Sequence, residues 1–412
     1  MDGPRFDPRA ALIVRPAQRA DVDRLLEIHV AAFPDPRPIE VRRRVFLHNR
    51  LGKLEDLRVA QCGEDLVGHA FSFPITVWLG GKEVKGRAIA SVGVAVACRG
   101  LGIGSALLSA IHEEAHASDA SFTLLYPFRQ GYYARFGYAP LARQRVLTIS
   151  PRAIPSSWRT AGEGRIRRAT GSDRSEIMRV YREAGRRGNG FLERPERAWE
   201  EDLLEERQQW LVLEDSPGTL AGYTSCRLLQ NEPHAIIRAD VAELVATSDA
   251  GRRRLFAALG SLGDQVRDVT FAMADDDPLD WAFLDGDRDR SGTKEIEHAH
   301  GVVNTGPMMR LVSPERVLLG RGYTSEGTVA LAVGEAPAFL LTVRGGSATI
   351  EYSTDAGRDP LTLASSALAA IACGGLRVED AVRLGWASGS AKTIDSAARL
   401  LKIPAFFSVD QF

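Results

Sequence analysis

Small and apolar residues without a charge form an unbroken run from Ala88 to Val96, which is typical of a strand buried on both faces. A glycine-rich turn follows this run. An apolar pattern at helical spacing then begins at Leu107, Leu108 and Ile111, and a second short apolar run spans Phe122 to Leu125. The pattern predicts a strand–turn–helix–strand unit in the first third of the chain.

The turn itself reads Arg-Gly-Leu-Gly-Ile-Gly from Arg99 to Gly104. Glycines at the start of a helix let a ligand approach the backbone closely, and the free N–H groups and dipole of the helix favour an anion there. The turn lacks the lysine of a Walker loop, and its glycines are not in the order of a dinucleotide fingerprint. We therefore expect a pyrophosphate to bind here in some other way.

A short strand followed by a helix is predicted near the start of the sequence, and the same pattern recurs 152 residues later. Val14–Ala17 leads to Asp21 and an amphipathic pattern, and 166–169 leads in the same way to Asp173. In each copy a short strand precedes an aspartate that can cap a helix. The sequence thus predicts two tandem α/β domains joined by a linker from Pro151 to Glu163.

Carried forward, the same offset places Arg254 and Phe256 opposite Gly102 and Gly104. Side chains of this size would fill the space that a pyrophosphate needs, so the second copy is predicted to be catalytically inactive. The arginines at 252–254 form either a separate anion site or, as we prefer, an exposed helix start.

The last third has a different pattern. Alternating runs predict antiparallel strands, and helical patterns follow them, which indicates an α+β module. The predicted strands are Thr328–Val333, Phe339–Val343 and Ala348–Tyr352, and the predicted helices are Leu361–Cys373, Val378–Trp386 and Thr393–Lys402. The predicted division is 1–150, 151–301 and 302–412, with fold class α/β plus α+β.

Composition narrows the setting of the protein. The 412 residues carry a formal net charge of −1, so no basic field favours a nucleic-acid partner. Four scattered cysteines fit a reducing cytosol. The sequence opens without an apolar signal core, and the uncharged run from Leu361 to Leu376 is too short to span a bilayer. We expect a cytoplasmic protein with no membrane and no nucleic-acid partner.

A second motif completes the first. Tyr133-Ala-Arg-Phe-Gly-Tyr138 follows the Arg-x-x-Gly-x-Gly turn at the distance and in the order found in GNAT acetyltransferases. With the degenerate second copy and the terminal Phe412, the chain resembles the Eis-like (enhanced intracellular survival) group of that family. The resemblance implies tandem GNAT folds, each a mixed sheet flanked by helices, and a sterol-carrier-protein-like third domain. It also implies a homohexamer and acetyl-CoA as co-substrate without a metal.

The resemblance also assigns roles by position. It implies that Tyr133 is the general acid and that the α-carboxylate of Phe412 is the general base, with Tyr132 as the alternative to Tyr133. The residues implied in coenzyme binding are Val92, Gly93, Val94, Arg99, Gly100, Leu101, Gly102, Ile103, Gly104, Ser105, Phe128 and Arg129.

The acceptor is left open by the sequence. An aminoglycoside, a polyamine or a lysine-like amine would each fit an N-acetyltransferase. Asp35 weakly matches an acidic pocket residue of the family, whereas Gln411 stands next to the terminus where an acid is expected. A strongly anionic pocket is therefore in question.

Two other functions compete with this one. His112-Glu113-Glu114-Ala115-His116 matches a zinc-binding helix motif, although no third ligand is evident and the helix begins at the glycine turn. Alternatively, the third domain could bind a lipid or acyl chain beside a vestigial acetyltransferase site. The intact glycine turn and Tyr133 favour the enzyme.

Overall fold

A computed structural model describes residues 12–161, 164–203, 208–230, 237–284, 300–352, 354–410 and 412. Its strands are β1 Leu12–Pro16, β2 Leu57–Cys62, β3 Asp65–Leu79, β4 Lys82–Val94, β5 Phe122–Leu125, β6 Ala139–Pro140, β7 Arg143–Ile149, β8 Arg165–Arg168, β9 Gln208–Ser216, β10 Thr219–Leu229, β11 Ile237–Ala246, β12 Val266–Ala274, β13 Gly301–Thr305, β14 Met308–Leu311, β15 Gly327–Val333, β16 Phe339–Arg344, β17 Ser347–Tyr352, β18 Leu361–Leu363 and β19 Ala387–Ser388. Its α-helices are α1 Val22–Ala32, α2 Ile39–Leu47, α3 Ile103–Ala117, α4 Gln130–Ala134, α5 Arg174–Arg187, α6 Glu196–Leu203, α7 Asp249–Gly260, α8 Pro314–Gly320, α9 Ser365–Ala372, α10 Val378–Arg383 and α11 Ala391–Leu400.

The first sheet has the strand order β1-β2-β3-β4-β5-β14-β6. Adjacent strands in this sheet are antiparallel, with one exception: β4 and β5 run parallel, because the chain crosses from one to the other through α3. The predicted strand–turn–helix–strand unit is confirmed, with β5 at the predicted residues and β4 beginning six residues earlier than predicted. Apolar side chains of α1 and α3, among them Leu25 and Leu107, are fully buried in the core.

The second sheet has the order β13-β7-β12-β11-β10-β9-β8. The repeat is visible in an ion pair that recurs at the same offset. Arg15 binds Asp21 at 2.7 Å in the first copy, and Arg167 binds Asp173 at 2.8 Å in the second. Each aspartate also accepts the backbone N–H three residues before it, at 2.7 Å, which fixes the turn into α1 or α5. Each aspartate thus closes the 3-10 turn before the helix, and within the described residues its side chain makes no cap hydrogen bond to α1 or α5, so the predicted capping of the helix itself is wrong.

The two sheets exchange strands across the predicted boundaries. β7 precedes residue 150 but lies in the second sheet, where it pairs with β12 and β13. β14 follows residue 301 but lies in the first sheet, between β5 and β6. Boundaries at 150 and 301 therefore divide the chain into consecutive segments, but each of the two sheets contains a strand from beyond its segment. The division into domains at these residues stays a prediction.

The predicted linker packs against the second unit and is not an extended connection. Two 3-10 turns span Pro151–Ala153 and Ser156–Thr160. Trp158 places its ring 6.3 Å from Phe256 and 5.8 Å from Phe283. These contacts make most of the segment part of the second core, because its apolar side chains have a surface to bury; Glu163 lies outside the described residues.

The third sheet has the order β17-β16-β15-β18-β19, flanked by α8 to α11. The three predicted strands are confirmed within one residue at each end. The predicted helix at Leu361 is wrong at its start, because Leu361–Leu363 form β18, parallel to β15. Leu361 and Leu363 are both buried there, and the helix begins only at Ser365.

The C-terminal segment is held by a buried charge cluster in the second unit. Arg194 lies between two carboxylates, 2.5 Å from Asp410 and 2.9 Å from Glu243. Asp410 also accepts the Tyr181 hydroxyl at 2.5 Å, and Glu243 accepts the Tyr223 hydroxyl at 2.7 Å. Burial opposes the charge of Arg194, but the two carboxylates raise its pKa well above the ordinary value, so it remains a cation.

Replacing Arg194 by methionine should destabilise the fold by about 3–5 kcal/mol, because two buried carboxylates lose their counterion. Urea unfolding at neutral pH measures the change. Arg399→Met is the control, since Arg399 forms an exposed pair with Asp395 at 3.2 Å, which should contribute at most about 1 kcal/mol. Equal effects of the two substitutions would contradict the importance of the buried cluster.

Two histidines lie buried beneath the first sheet. His29 on α1 and His69 on β3 have ring centroids 5.5 Å apart, and Phe46 packs on both. Neither ring nitrogen of His69 has a hydrogen-bond partner among the described residues. Burial, followed by the charge of Arg42, lowers the pKa of His29 to about 4, and burial followed by His29 lowers that of His69 to about 3. Both imidazoles are therefore neutral at physiological pH.

This pair predicts acid sensitivity. The unfolded imidazoles take up protons near pH 6.5 and the folded ones only near pH 3–4. Stability is therefore complete above pH 6.5 and falls as the pH drops towards 4, by up to about 1.4 kcal/mol per pH unit for each histidine. Urea midpoints from pH 7.5 to 4.5 should fall less steeply in His69→Met than in the wild type. His116→Gln, at an exposed position, should keep the wild-type slope; an unchanged slope in His69→Met would refute the assignment.

Candidate functional site

The site begins where two parallel strands of the first sheet separate. β4 pairs with β5 only from Arg87 to Ile89. Beyond Ile89 the β3–β4 register shifts, and Ser91 has a positive φ of 50°, which marks a bulge. Within the described chain, β4 has no strand partner on its β5 side after this point, so the backbone of the predicted residues Val92, Gly93 and Val94 faces a gap.

Gly93 is tied to the buried histidine beneath it. A Cβ at this position would lie 2.6 Å from Nε2 of His69. Any side chain here would have to displace His69 or the bulged strand. The course of β4 along the gap therefore depends on a glycine against a histidine, a pairing that the sequence pattern did not reveal.

The predicted pyrophosphate turn opens α3 at the far end of the gap. Gly100 and Gly102 have φ of +79° and +86°, a region that favours glycine, and a Cβ at either one would have no atom within 4 Å. Arg99 and Leu101 are exposed beside them, Ile103 is buried, and Ser105 is half-buried. Gly102 is the N-cap of α3 and no side chain of the described residues caps the helix. Its first N–H groups are thus open to an anion.

Phe128 and Arg129, the other predicted coenzyme contacts, are exposed next to this turn. The Phe128 side chain is 71% exposed, and its ring lies 5.9 Å from that of Tyr132. The Tyr132 hydroxyl lies 2.7 Å from where a Cβ of Gly104 would be. A chain of contacts therefore joins the two predicted groups of coenzyme residues, with Tyr132 between them.

Tyr133 occupies the apolar wall beside the gap. It is buried with Ile89 and Val92 of β4, and its ring stands edge-on to those of Tyr132 and Phe128. No described residue forms a hydrogen bond with its hydroxyl. Burial, and to a smaller extent Tyr132, raises its pKa above the ordinary value, so the phenol is protonated at neutral pH. It can donate a proton into the gap.

Phe412 packs on the opposite face of β4, with Ala90, Ser91 and a cavity of about 400 Å³. Its ring lies 5.2 Å from that of Tyr126, edge to face. Tyr126 follows the last residue of β5 and donates its hydroxyl to the carbonyl of Asp410 at 2.6 Å. The last described residue therefore lies at the mouth of the gap.

Sequence reasoning missed Tyr126, which links β5 to the C-terminal segment. Its only signal was its place directly after a buried strand. Asp410, the carboxylic side chain nearest the end of the sequence, is paired with the buried Arg194 and does not line the cavity. Gln411 lies outside the described residues.

The second copy lacks this arrangement. Ser248 caps α7, its hydroxyl accepting the N–H of Gly251 at 3.1 Å, and Phe256 is only 1% exposed in the second core. Arg252 is paired with Asp277 at 2.5 Å, and Arg254 donates to the carbonyl of Gly164. The arginines at 252–254 are half-buried and follow the first turn of α7, so the predicted exposed helix start is wrong in both position and exposure.

The zinc-like motif lies on α3, away from the glycine turn. Nε2 of His112 lies 3.0 Å from the Tyr138 hydroxyl, His116 is exposed, and Glu114 is paired with Arg58 at 2.6 Å. These contacts give each group a structural role or leave it in solvent. Among the described residues, no three metal-ligating side chains come together.

None of the helices in the described ranges has the length and apolar character needed to cross a membrane.

Comparisons with known proteins identify two acetyltransferase domains in this chain. Residues 13–141 and 190–311 each match an acetyltransferase (GNAT) domain family, and together they cover more than half of the chain. The N-acetyltransferase Eis of Mycobacterium tuberculosis is 25% identical over 304 residues, which is 69% of this chain and 71% of that protein. Eis of Mycobacterium bovis matches equally well.

Solved structures share the fold over nearly the whole length. A GCN5-related N-acetyltransferase from Kribbella flavida has a TM-score of 0.80 at 22% identity and covers 98% of this chain and 99% of its own. One from Anabaena variabilis has a TM-score of 0.82 at 18% identity, covering 98% and 100%. Eis1 from Mycobacterium abscessus has a TM-score of 0.78 at 22% identity, covering 97% and 100%.

These likenesses agree with the open glycine turn, the gap between β4 and β5 and the two related sheets. GNAT acetyltransferases use acetyl-CoA, and the turn at Gly100 and Gly102 has the open space and free N–H groups that its pyrophosphate needs. The chain belongs to the GNAT family, and it is an Eis-like N-acetyltransferase with tandem GNAT domains.

Proposed function

We propose that the protein transfers the acetyl group of acetyl-CoA to a primary amine, with Tyr133 as general acid and the Phe412 α-carboxylate as general base. The observation that carries this proposal is the placement of the two residues on opposite faces of the bulged end of β4. Tyr133 packs with Ile89 and Val92, and Phe412 lines a cavity with Ala90 and Ser91. The gap after Ile89 joins the two faces.

The coenzyme would be held by the open end of α3. The N–H groups from Gly100 to Ser105 would take the pyrophosphate, with Arg99 nearby to balance its charge. Phe128 offers an exposed apolar surface and Arg129 a cation at the rim of this site. The free backbone from Val92 to Val94 would bind the pantetheine amides and place an N–H near the thioester oxygen, where negative charge develops.

The chemistry needs two proton transfers. The neutral amine nitrogen attacks the thioester carbon, a C–N bond forms, and the C–S bond breaks. The Phe412 carboxylate takes the proton from nitrogen, which becomes acidic once it is bonded to the carbonyl carbon. Tyr133 donates its proton to the departing thiolate. A phenol is protonated at neutral pH already at its ordinary pKa, and the burial that raises the pKa of Tyr133 makes it a weaker acid, so the position of the hydroxyl and not the shift favours this role.

The wider assignment is part of the same proposal. The units are 1–150, 151–301 and 302–412, and the last of them, with its five-stranded sheet and flanking helices, is sterol-carrier-protein-like. The assembly is a homohexamer in the cytoplasm, and the acceptor is an aminoglycoside, a polyamine or a lysine-like amine. The likeness to the Eis-like group supports these points.

The position of the base can be tested at the terminus. One alanine added after Phe412 moves the carboxylate away from the gap and should lower kcat by about 10²–10⁴, the usual contribution of a general base. The affinity for acetyl-CoA, measured by calorimetry, should stay unchanged because the glycine turn is untouched. One alanine added at the N-terminus is the control. Full activity of the C-terminal variant would exclude the carboxylate as base.

Two neighbouring tyrosines give a matched test of the acid. Tyr133→Phe should lower kcat by about 10²-fold or more with little change in acetyl-CoA affinity, because the lost hydroxyl acts on the leaving thiolate. Tyr132→Phe should instead change the KM for acetyl-CoA, because its hydroxyl lies over Gly104. Steady-state kinetics with both substrates separates the two. The reverse pattern would make Tyr132 the acid.

A further inference from the structure

The cavity next to Phe412 has an unusual set of charged residues. It is enclosed by α1, α2, the bulge of β4 and the loops between them, and at about 400 Å³ it is at the small end of the range for ligand sites. Its lining includes Arg37, Arg42 and Arg50 with His29 and His48, and it includes no aspartate or glutamate side chain. Among the described residues that line it, the three arginines are therefore opposed by one anion, the α-carboxylate of Phe412, and the balance on the acceptor side of the gap is positive.

Asp35 does not reverse this balance. It is bound by Arg37 at 2.5 Å and by Arg42 at 3.0 Å, so two guanidinium groups share one carboxylate. The arginines lower the pKa of Asp35 well below its usual range. Asp35 is also absent from the cavity wall, so the acidic pocket residue that the family pattern suggested serves here to orient two arginines.

Arg42 is fixed more firmly than a surface arginine. It is 4% exposed and donates two hydrogen bonds of 2.7 Å, to the carbonyls of Phe33 and Asp35. A guanidinium held in this way needs no further ordering to meet an anion. After burial, the positive charge of Arg42 is the next cause that lowers the pKa of His29, which also lines the cavity. Arg37, by contrast, is largely exposed; its Nε and Nη2 donate to Asp35, and no described residue accepts a hydrogen bond from its Nη1, which is the group that can meet a ligand.

We infer that the acceptor amine carries an anionic group, a carboxylate or a phosphate, at the end opposite its amine. The inference rests on the proposed function, which places the reacting amine near Phe412 and the gap. The anionic group would then lie against Arg37 and Arg42, which suit the planar oxygens of a carboxylate or phosphate. A polycationic acceptor would meet like charges on the same wall and bind poorly.

Acceptors of one length test this directly. Thiol release from acetyl-CoA is measured with 5-aminopentanoate, 4-aminobutylphosphonate, pentylamine and 1,5-diaminopentane. We expect kcat/KM to be about tenfold or more higher for one or both acids than for pentylamine, and lowest for the diamine, since a charge-assisted contact is of that size. The two acids distinguish a carboxylate ligand from a phosphate-like one.

Arg37→Met should remove the preference, lowering kcat/KM for the better acid about tenfold while pentylamine changes by less than about threefold. Arg37 is the residue of choice because it is largely exposed, so the variant should fold. Arg399→Met, on the exposed face of α11, is the matched control and should change neither.

The outcomes separate two failures. If pentylamine or the diamine is acetylated as well as the acids or better, the anionic acceptor is refuted and the amine acetyltransferase stands. The same holds if Arg37→Met leaves the preference intact. If none of the four amines is acetylated while acetyl-CoA binds normally, the proposed acetyl transfer to small amines fails, and this inference fails with it.

Discussion

The buried Arg194 is the interaction on which the site depends. It is sandwiched between Asp410 and Glu243, with the rings of Tyr181 and Trp199 within 4.6 Å of its guanidinium carbon. Asp410 is two residues from the end of the sequence, and Arg194 belongs to the second unit. This cation thus anchors the C-terminal segment together with the hydrogen bonds from the Tyr181 hydroxyl and the Leu192 N–H to the Asp410 carboxylate. The carbonyl of Asp410 accepts the Tyr126 hydroxyl of the first unit, and the Tyr126 ring packs on Phe412.

The second unit therefore contributes residues that position the C-terminal segment at the site of the first unit. Its α7 begins at Asp249 with Ser248 as the N-cap, where α3 has Gly102, so the predicted placement of Phe256 opposite Gly104 is wrong: Phe256 lies inside the helix and is buried in the second core. The second unit nevertheless supplies Arg194, Glu243 and Tyr181 to the cluster. A unit without the glycine turn can thus still contribute to the site of the other unit, by binding the C-terminal segment.

The sequence predicted what is local. The strand–turn–helix unit and the strands of the last third follow from short periodicities and turn residues, and the structure confirms them. The two aspartates lie where the repeat predicts, but they close the turn before each helix and do not cap the helix itself. The exchange of β7 and β14 could not be predicted, because pairing between strands far apart in sequence leaves no local pattern. The packing of Trp158 and the burial of Arg42 were missed for the same reason: a tryptophan in a segment of linker-like composition and an arginine in a polar helix reveal their partners only in three dimensions. Leu361–Leu363 was misread because three alternating residues fit the start of a helix as well as a strand.

The strand exchange has a consequence for how such a protein can change over time. β14 lies directly beside β5 and follows the whole second unit in the chain, whereas β7 is given up to the second sheet. Excision of residues 151–301 would spare β14, which lies beyond them, but it would remove β12 and the rest of the sheet to which β7 belongs. The second unit therefore cannot be lost without exposing the edge of a strand that precedes it in the chain, and an exposed edge strand favours aggregation.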